Sequence, residues 1–467
     1  MVDAHDERKR RGAWFTPEHL VEHVVEAVID RDFVRSCGRR PLRIVDPACG
    51  DGRFLSAAIA AVRRHGGEAH AVGVDIDRDS VRTAQVTTGA EVIRADALHS
   101  AELADRAGSF DVVIGNPPYL SQLAAATTRG GASARGGGPY ADVAAEFLAL
   151  AAELVRADGG RVGFVLPQSI LSARDAGDVR RRIDRRATMI WSAWTGERDF
   201  DAQVVTCAVA FEFGVRSPDA DNGNWAHVVT SRTGVPPVPA ALADAAPEAG
   251  CLGDRARLNA NFRDEYYGMI DAVGDHTTGP PLVTSGLIDP GRCLWGRRSV
   301  RFAKQRFAAP RVDLTRLDGR MSRWAADRLV PKVLIANQTP IIEAVCDPAG
   351  AWLPGVPVVA AYPQQATGHG AWEIAAVLSA PSVSAWAWHR RGGTGLSSDT
   401  IRVGPTMLAE LPWPSGSLTA AVEALRDGDV VTSGSLVDEA YGIGRSERAE
   451  LSAWWLPIHG RIAARAY

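Results

Sequence analysis

Residues 111–119 read Asp111-Val112-Val113-Ile114-Gly115-Asn116-Pro117-Pro118-Tyr119. Val112 to Ile114 is a short apolar run, the pattern of a strand buried on both faces of a parallel sheet. The polar tetrapeptide after it belongs at the strand's carboxyl end. Pro117 and Pro118 fix φ, lack N–H groups and hold the residue before each extended. The side-chain oxygen of Asn116 and the carbonyl of Pro117 are thereby presented as two acceptors, with the ring of Tyr119 beside them as a stacking face. Such a set suits a flat, conjugated amine such as N6 of adenine, whose delocalised lone pair must be rehybridised before it can attack. Methyl transfer to that nitrogen fits, and it requires no general base. A base within a duplex reaches such a pocket only when flipped out of the stack.

Working upstream, Ile44-Val45-Asp46-Pro47-Ala48-Cys49-Gly50-Asp51-Gly52-Arg53-Phe54-Leu55 is a strand, a Gly-rich turn and the start of an Ala-rich helix. It has the form of a nucleotide-type cofactor loop, in which Gly50 and Gly52 let backbone pass close to a ligand and the helix N–H groups point at it. Ala71-Val72-Gly73-Val74 is a second buried strand, tipped by Asp75. A carboxylate there, about 20 residues after the Gly loop, suits the two hydroxyls of a ribose. Glu91 to Ala95 makes a third strand ending at Asp96, whose carboxylate can accept the amino group of an adenine ring. Strand, turn and helix alternate from Leu42 to about Leu171, with polar residues at strand carboxyl ends. The alternation predicts an α/β fold, a doubly wound, mostly parallel Rossmann-like sheet with the site at its switch point.

Residues 12–213 resemble the amino-methylating DNA methyltransferases of the gamma order, the adenine-N6 group of restriction-modification systems. Five blocks stand in that family's order: Trp14-Phe15-Thr16-Pro17, Asp46 to Leu55, Gly73-Val74-Asp75, Arg94-Ala95-Asp96 and Asn116 to Tyr119. The resemblance implies S-adenosylmethionine as cofactor and double-stranded DNA as substrate. It implies cofactor contacts from Thr16 and Pro17, from Asp46, Ala48, Cys49 and Gly50, from Asp75 at the ribose, from Ile76, from Asp96 and Ala97 at the adenine ring, and from Asn116 and Phe147. Phe200, ahead of the apolar run Val204 to Phe213, is implied as the aromatic facing Tyr119 across the flipped base. The implied catalytic set is therefore Asn116, Pro117, Tyr119 and Phe200.

Composition agrees with this reading. A chain of 467 residues with 46% hydrophobic content is expected to form two or three domains. The expected division is a catalytic domain over 1–213, a linker over 214–260 and a mixed α+β target-recognition domain over 261–467. The linker expectation rests on Ser217 to Gly223 and on Val235-Pro236-Pro237-Val238-Pro239. No run of eighteen apolar residues occurs and the basic N-terminus lacks an apolar segment, so neither a membrane span nor a signal peptide is expected. The expected location is the bacterial cytoplasm, with nucleoid association through DNA. The six cysteines, at 37, 49, 207, 251, 293 and 346, contain no Cys-x-x-Cys pair, and no metal site is expected.

The net charge is −3, but charge is unevenly spread. Between Arg292 and Lys332 twelve basic residues stand against Asp313, Asp318 and Asp327, with Trp295, Phe302, Phe307 and Trp324 interleaved. Such a stripe can neutralise phosphates, and Arg297, Arg298, Arg301 and Lys304 are its leading candidates for DNA contact. Trp386 to Gly395 is the candidate recognition loop, with Arg390 or Arg391 reaching guanine or phosphate. The Gly- and Arg-rich insertion 121–140 is expected to stay loose until DNA arrives and then to close over the flipped nucleotide.

The methylase blocks begin by residue 14 and no acidic nuclease cluster is evident, so the chain is expected to methylate without cutting. A separate restriction endonuclease or specificity subunit is the expected protein partner. No Gly-Lys-Ser/Thr phosphate loop occurs, so ATP is not expected. Rival readings are methylation of RNA amines or of protein glutamine amides, which share the planar-nitrogen problem, and a non-catalytic DNA-specificity subunit, which would tolerate damage to the tetrapeptide or the Gly loop.

Overall fold

In the computed structural model of the chain, residues 16–119, 135–138, 141–194, 205–214, 225–244, 247–260, 263–275, 278–365, 367–392 and 400–465 are described. The chain divides into two compact units, one running to Thr233 and one starting at Gly234. In the first, seven runs of apolar sequence form one sheet: β1 (Leu42–Asp46), β2 (Ala69–Asp75), β3 (Glu91–Arg94), β4 (Val112–Gly115), β5 (Arg161–Pro167), β6 (Ala187–Ala193) and β7 (Thr206–Phe213). They stand in the order β3-β2-β1-β4-β5-β7-β6. β3 through β5 pair in parallel, and β7 lies antiparallel between β5 and β6.

Side chains alternate across this sheet with the period of two that a pleated strand imposes. Ile44, Val112, Ile114 and Val165 face a layer containing Val24 and Val28 of the helix Glu18–Val28 and Leu55 and Ala58 of the helix Arg53–Arg64. Val45, Val113, Val162 and Phe164 face the other layer, with Phe147 and Leu148 of the helix Val143–Leu154. Helices therefore cover both faces, the doubly wound arrangement expected. Strand order reverses between β1 and β4, which pair through Ile44↔Val112 and Val45↔Val113. The loops after these two strands consequently leave the sheet side by side.

Asp111 anchors the opposite end of β4. Its carboxylate, 1% exposed, accepts from both terminal nitrogens of Arg40 at 2.6 Å and from the Arg43 backbone N–H at 2.9 Å, and is ion-paired with Arg156 at 2.9 Å. Burial alone would raise its pKa, but Arg40, the Arg43 N–H and Arg156 hold it below the usual carboxylate range.

The second unit is built on an antiparallel four-stranded sheet, in the order Ala344–Asp347, Lys332–Ala336, Val358–Pro363, Ala256–Ala260. The helices Gly368–Leu378, Pro381–Arg391, Thr419–Arg426, Val430–Ala440 and Arg445–Ala464 add a large apolar cluster to one side of it. The stretch expected as a linker is divided between the units. The helix Trp225–Ser231 belongs to the first, with the Trp225 ring 5.2 Å from Phe211, whereas Ala256–Ala260 is an edge strand of the second. Turn-forming residues are frequent in 214–260, but Trp225, Leu242 and Leu252 within it are buried. Among the described residues no helix is long and apolar enough to cross a membrane, and no three metal-ligating side chains cluster.

Asp111→Ala leaves Arg40 and Arg156 unpaired at the sheet edge. Both are partly exposed and can rehydrate, so the expected loss is on the order of 2 kcal/mol, less than for a fully buried pair. Urea unfolding followed by circular dichroism measures it, and a midpoint unchanged from wild type would contradict the anchoring role.

Candidate functional site

Every predicted cofactor or catalytic position of the first unit that is described lies at a strand carboxyl end or on an adjoining segment. After β1 the chain turns through Gly50 and Gly52, at φ +53° and +87°, before entering the helix Arg53–Arg64. Two carboxylates hold this loop. Asp46 Oδ1 accepts from the Ala48 N–H at 3.0 Å. Asp75, at the end of β2, accepts from Gly50 N–H at 2.9 Å and, with its other oxygen, from Asp77 N–H at 2.8 Å. Asp75 therefore ties two strand-end loops together.

Asp46 is 1% exposed, and its Oδ2 is buried without a hydrogen-bond partner among the described residues. Burial, together with the nearby charges of Asp75 and Asp51, pushes its pKa up to about 8, although the Ala48 N–H opposes the rise. The carboxylate presses on the end of β4, where a Cβ at Gly115 would lie 2.5 Å from Asp46 Oδ1. Gly115, at φ +153°, is the residue that admits this approach.

Asn116 follows directly. Its Nδ2 donates to Thr16 Oγ1 at 2.9 Å, so the amide is oriented by a residue 100 positions earlier. Its Oδ1 accepts from the Tyr119 hydroxyl, which is also directed at the Val165 carbonyl at 3.2 Å. The Tyr119 ring is buried in the cluster that holds Ala97 and Phe147, and burial drives its phenol pKa well above normal. The ring expected as an open stacking face is thus turned inward, because a phenol removed from water takes the nearest strong acceptors. Pro117 is buried and Pro118 half-buried.

Asp96 is exposed at the end of β3, with Oδ1 accepting from Leu98 N–H at 3.0 Å. Ala97 and Cys49 are buried, Ala48 and Pro17 partly so, and Ile76 is 61% exposed directly after Asp75. Phe200, Trp14 and Phe15 lie outside the described residues. Of the insertion 121–140, residues 135–138 are described and are held in place. Arg135 pairs with Glu153 at 3.0 Å and donates to the Leu98 carbonyl, while Gly138 N–H donates to the Asp175 carbonyl at 2.7 Å. The looseness expected of the whole insertion does not hold there. Arg53 is the residue that sequence reasoning missed. It pairs with Asp51 at 2.8 Å and donates to the Thr16 carbonyl at 3.1 Å, joining the N-terminal block to the Gly loop.

In the second unit the candidate DNA contacts separate. Arg297, Arg301 and Lys304 are exposed, whereas Arg298 is committed to Asp289 at 3.2 Å and to the Gly286 carbonyl. Lys332, counted in the basic stripe, is fully buried and donates to Asp347 at 2.5 Å. The expected recognition loop is mostly the helix Pro381–Arg391, whose first eight residues, Trp386 and Trp388 included, are buried. Only its C-terminal end is open, and there Arg390 lies over the Trp386 ring at 4.3 Å. Two tryptophans and alternating small residues marked a packed helix, not a loop.

The donor set fits S-adenosylmethionine. The unpartnered Asp46 oxygen suits a cationic amino group, a Cβ at Gly50 would meet only open space, and the exposed Ile76 offers an apolar edge beside a carboxylate. Residues 2–188 match the family model described as N-6 DNA Methylase. A type II methyltransferase, M.CvrRI, of Paramecium bursaria Chlorella virus XZ-6E is 30% identical over 116 residues. That match covers 25% of this chain and 26% of the viral protein, so the chain spans about a quarter of its curated relative. Among solved structures, a type I restriction-modification methyltransferase subunit from Streptococcus thermophilus is similar at 17% identity, over 44% of this chain and 46% of that one, with a TM-score of 0.37. The type IIG restriction endonuclease BpuSI is similar at 12% identity over 96% of this chain and 67% of its own, with a TM-score of 0.39.

The carboxyl of Asp46 ionises near pH 3.9 in an unfolded chain and at about 8 in the folded one. The folded state holds the proton more tightly, so the penalty is absent below pH 4 and grows as pH rises towards 8. Asp46→Asn keeps an acceptor for Ala48 and cannot ionise. In the absence of ligand it should melt above wild type at pH 8 and close to it at pH 4; equal melting temperatures at both would refute the raised pKa.

Proposed function

We propose, from the match of residues 2–188 to the N-6 DNA Methylase model, that the chain transfers a methyl group to N6 of an adenine flipped out of double-stranded DNA. The observation that carries this reading is the Asn116 amide, held by Thr16 at the switch point beside the Gly loop. S-adenosylmethionine, when bound, supplies an electrophilic methyl group. Asp46 would hold its amino group, Ala48, Cys49 and Gly50 its methionine portion, Asp75 and Ile76 its ribose, and Asp96 and Ala97 its adenine ring, with Thr16, Pro17 and Phe147 enclosing them.

The chain's own residues prepare the target amine. The Thr16 hydroxyl accepts from Asn116 Nδ2, which fixes the amide's orientation and leaves Oδ1 as the acceptor. The Tyr119 hydroxyl occupies that acceptor and must release it when the amine arrives. Asn116 Oδ1 and the Pro117 carbonyl then each accept one N–H, which concentrates the lone pair on the nitrogen. Once released, Tyr119 stacks on one face of the base, with Phe200 on the other. No side chain has to remove a proton before transfer, since the positively charged product amine loses it readily to water. Proximity and orientation supply most of the acceleration.

The second unit is the proposed DNA-binding part, with Arg297, Arg301, Lys304 and the open end of the helix at Arg390 and Arg391 as phosphate or base contacts. A restriction-modification setting, with a separate endonuclease or specificity subunit, is the matching biological role.

Asn116→Ala removes one acceptor and should lower methylation by roughly 10²–10³-fold or more. S-adenosylmethionine affinity should change little. Labelled-methyl incorporation into duplex DNA and calorimetric titration of the cofactor measure the two quantities. Turnover close to wild type would overturn the assignment.

A further inference from the structure

In the second unit, Val300–Phe302 and Gln305–Phe307 form an antiparallel hairpin closed by a two-residue turn, Ala303-Lys304. Both turn residues have positive φ, +48° and +65°. This is the turn that suits the twist of a hairpin, yet the positions are normally taken by Asn and Gly, because side-chain-bearing residues avoid that conformation. A lysine is kept at the tip where glycine would be easier to accommodate.

The two faces of the hairpin differ. Phe302 is 3% exposed, lies 4.9 Å from the Tyr266 ring and belongs to a cluster with Met269, Met321 and Trp324, while Val300 is buried and Phe307 half-buried. The Ala303 N–H donates to the Tyr266 hydroxyl at 3.0 Å, which pins the turn to the helix Arg263–Met269. On the opposite face Arg301 and Arg306 are directly cross-strand partners, and both are exposed. Like charges so placed repel. Among the described residues, the ion pairs made by the basic stripe are those of Arg298 and Lys332, and Arg301, Lys304 and Arg306 make none. Beside the anchor stands Tyr267, with its ring 5.5 Å from Tyr266 and 62% exposed.

We infer that this hairpin is a rigid cationic prong, whose Arg301, Lys304 and Arg306 neutralise successive phosphates of a DNA duplex. The inference rests on the proposed methylation of DNA and adds Arg306 and a defined geometry to it. A prong anchored on its apolar side loses little freedom on binding, and the repulsion between the two arginines, held side by side by the strand register, is relieved when each meets its own phosphate. Three separate contacts predict a measurable share of the salt dependence, since each neutralised phosphate contributes about 0.9 to the slope of log affinity against log salt.

The test titrates a labelled duplex with the full chain between about 50 and 200 mM salt, the range over which such slopes are resolved. Wild type is compared with the double variant R301Q/R306Q and with K304N, which keeps a residue tolerant of positive φ. The double variant should lose about 1.8 from the slope and K304N about 0.9, at unchanged melting temperatures. Slopes equal to wild type in correctly melting variants would overturn the inference, as would equal losses with a duplex RNA of the same length. If wild type itself neither binds nor methylates duplex DNA, the proposed function fails first; if it methylates DNA and the slopes do not change, only the prong is refuted.

Discussion

A buried carboxylate pressed against a glycine is the constraint on which the site depends. β1 and β4 are parallel neighbours, so the turns leaving them must pass within a strand's spacing of each other. Asp46 occupies that narrow space, with one oxygen engaged by its own loop and the other without a hydrogen-bond partner among the described residues. Only a residue without a side chain can sit opposite it, and Gly115 does. Asn116 is the next residue, so its amide inherits a position set by the Asp46 contact before any substrate is present. The cost is electrostatic. Asp46 is removed from water close to Asp75 and Asp51, and the folded chain answers by holding a proton on it. A cationic group on Asp46 Oδ2 would reverse that balance by favouring the ionised carboxylate.

Legibility in the sequence followed the range of the interaction. The strands around Val45, Val72, Val92 and Val113 and the placement of Asp46, Asp75, Asp96 and Asn116 at their ends could be read from local apolar runs and turn residues. The bond between Thr16 and Asn116 could not, because nothing local connects residues 100 apart. The link from Arg53 to the Thr16 carbonyl is of the same kind: an arginine at a helix start reads as solvated, and its target is a backbone atom of a distant segment. Tyr119 is the instructive intermediate case. Its presence at the pocket was evident, but its orientation was decided by burial of a phenol that found Asn116 and the Val165 carbonyl.

Charge patterns in the second unit were misleading in proportion to burial. Lys332 and Arg298 contribute to a basic stripe when counted along the chain, yet each neutralises a buried aspartate, Asp347 and Asp289, that lies outside the window counted. Trp386 and Trp388 looked like interleaved aromatics of a recognition loop because aromatic and basic residues alternate with glycine there. Three-dimensional packing turns both rings into the core and leaves Arg390 stacked on one of them. On the hairpin, which basic side chains stay open is decided by the period of two: Val300 and Phe302 inward, Arg301 outward.

The pairing of Tyr119 with Asn116 bears on how selectivity and protection from water are combined. In the proposed reaction an acceptor open to water would be hydrated, and each target amine would have to displace that water. Here the Tyr119 hydroxyl satisfies the Asn116 oxygen while the Asn116 amide nitrogen remains with Thr16, so only one of the two bonds has to break for the acceptor to be exposed. The exchange is close to balanced if the entering group brings two N–H donors, one for Asn116 and one for the Pro117 carbonyl, and also a planar face for the displaced ring. A hydroxyl or a water molecule brings neither the second donor nor the face. In the proposed reaction, discrimination in favour of a planar amine arises from what must be given up, a phenol bond inside the core, as much as from what is gained.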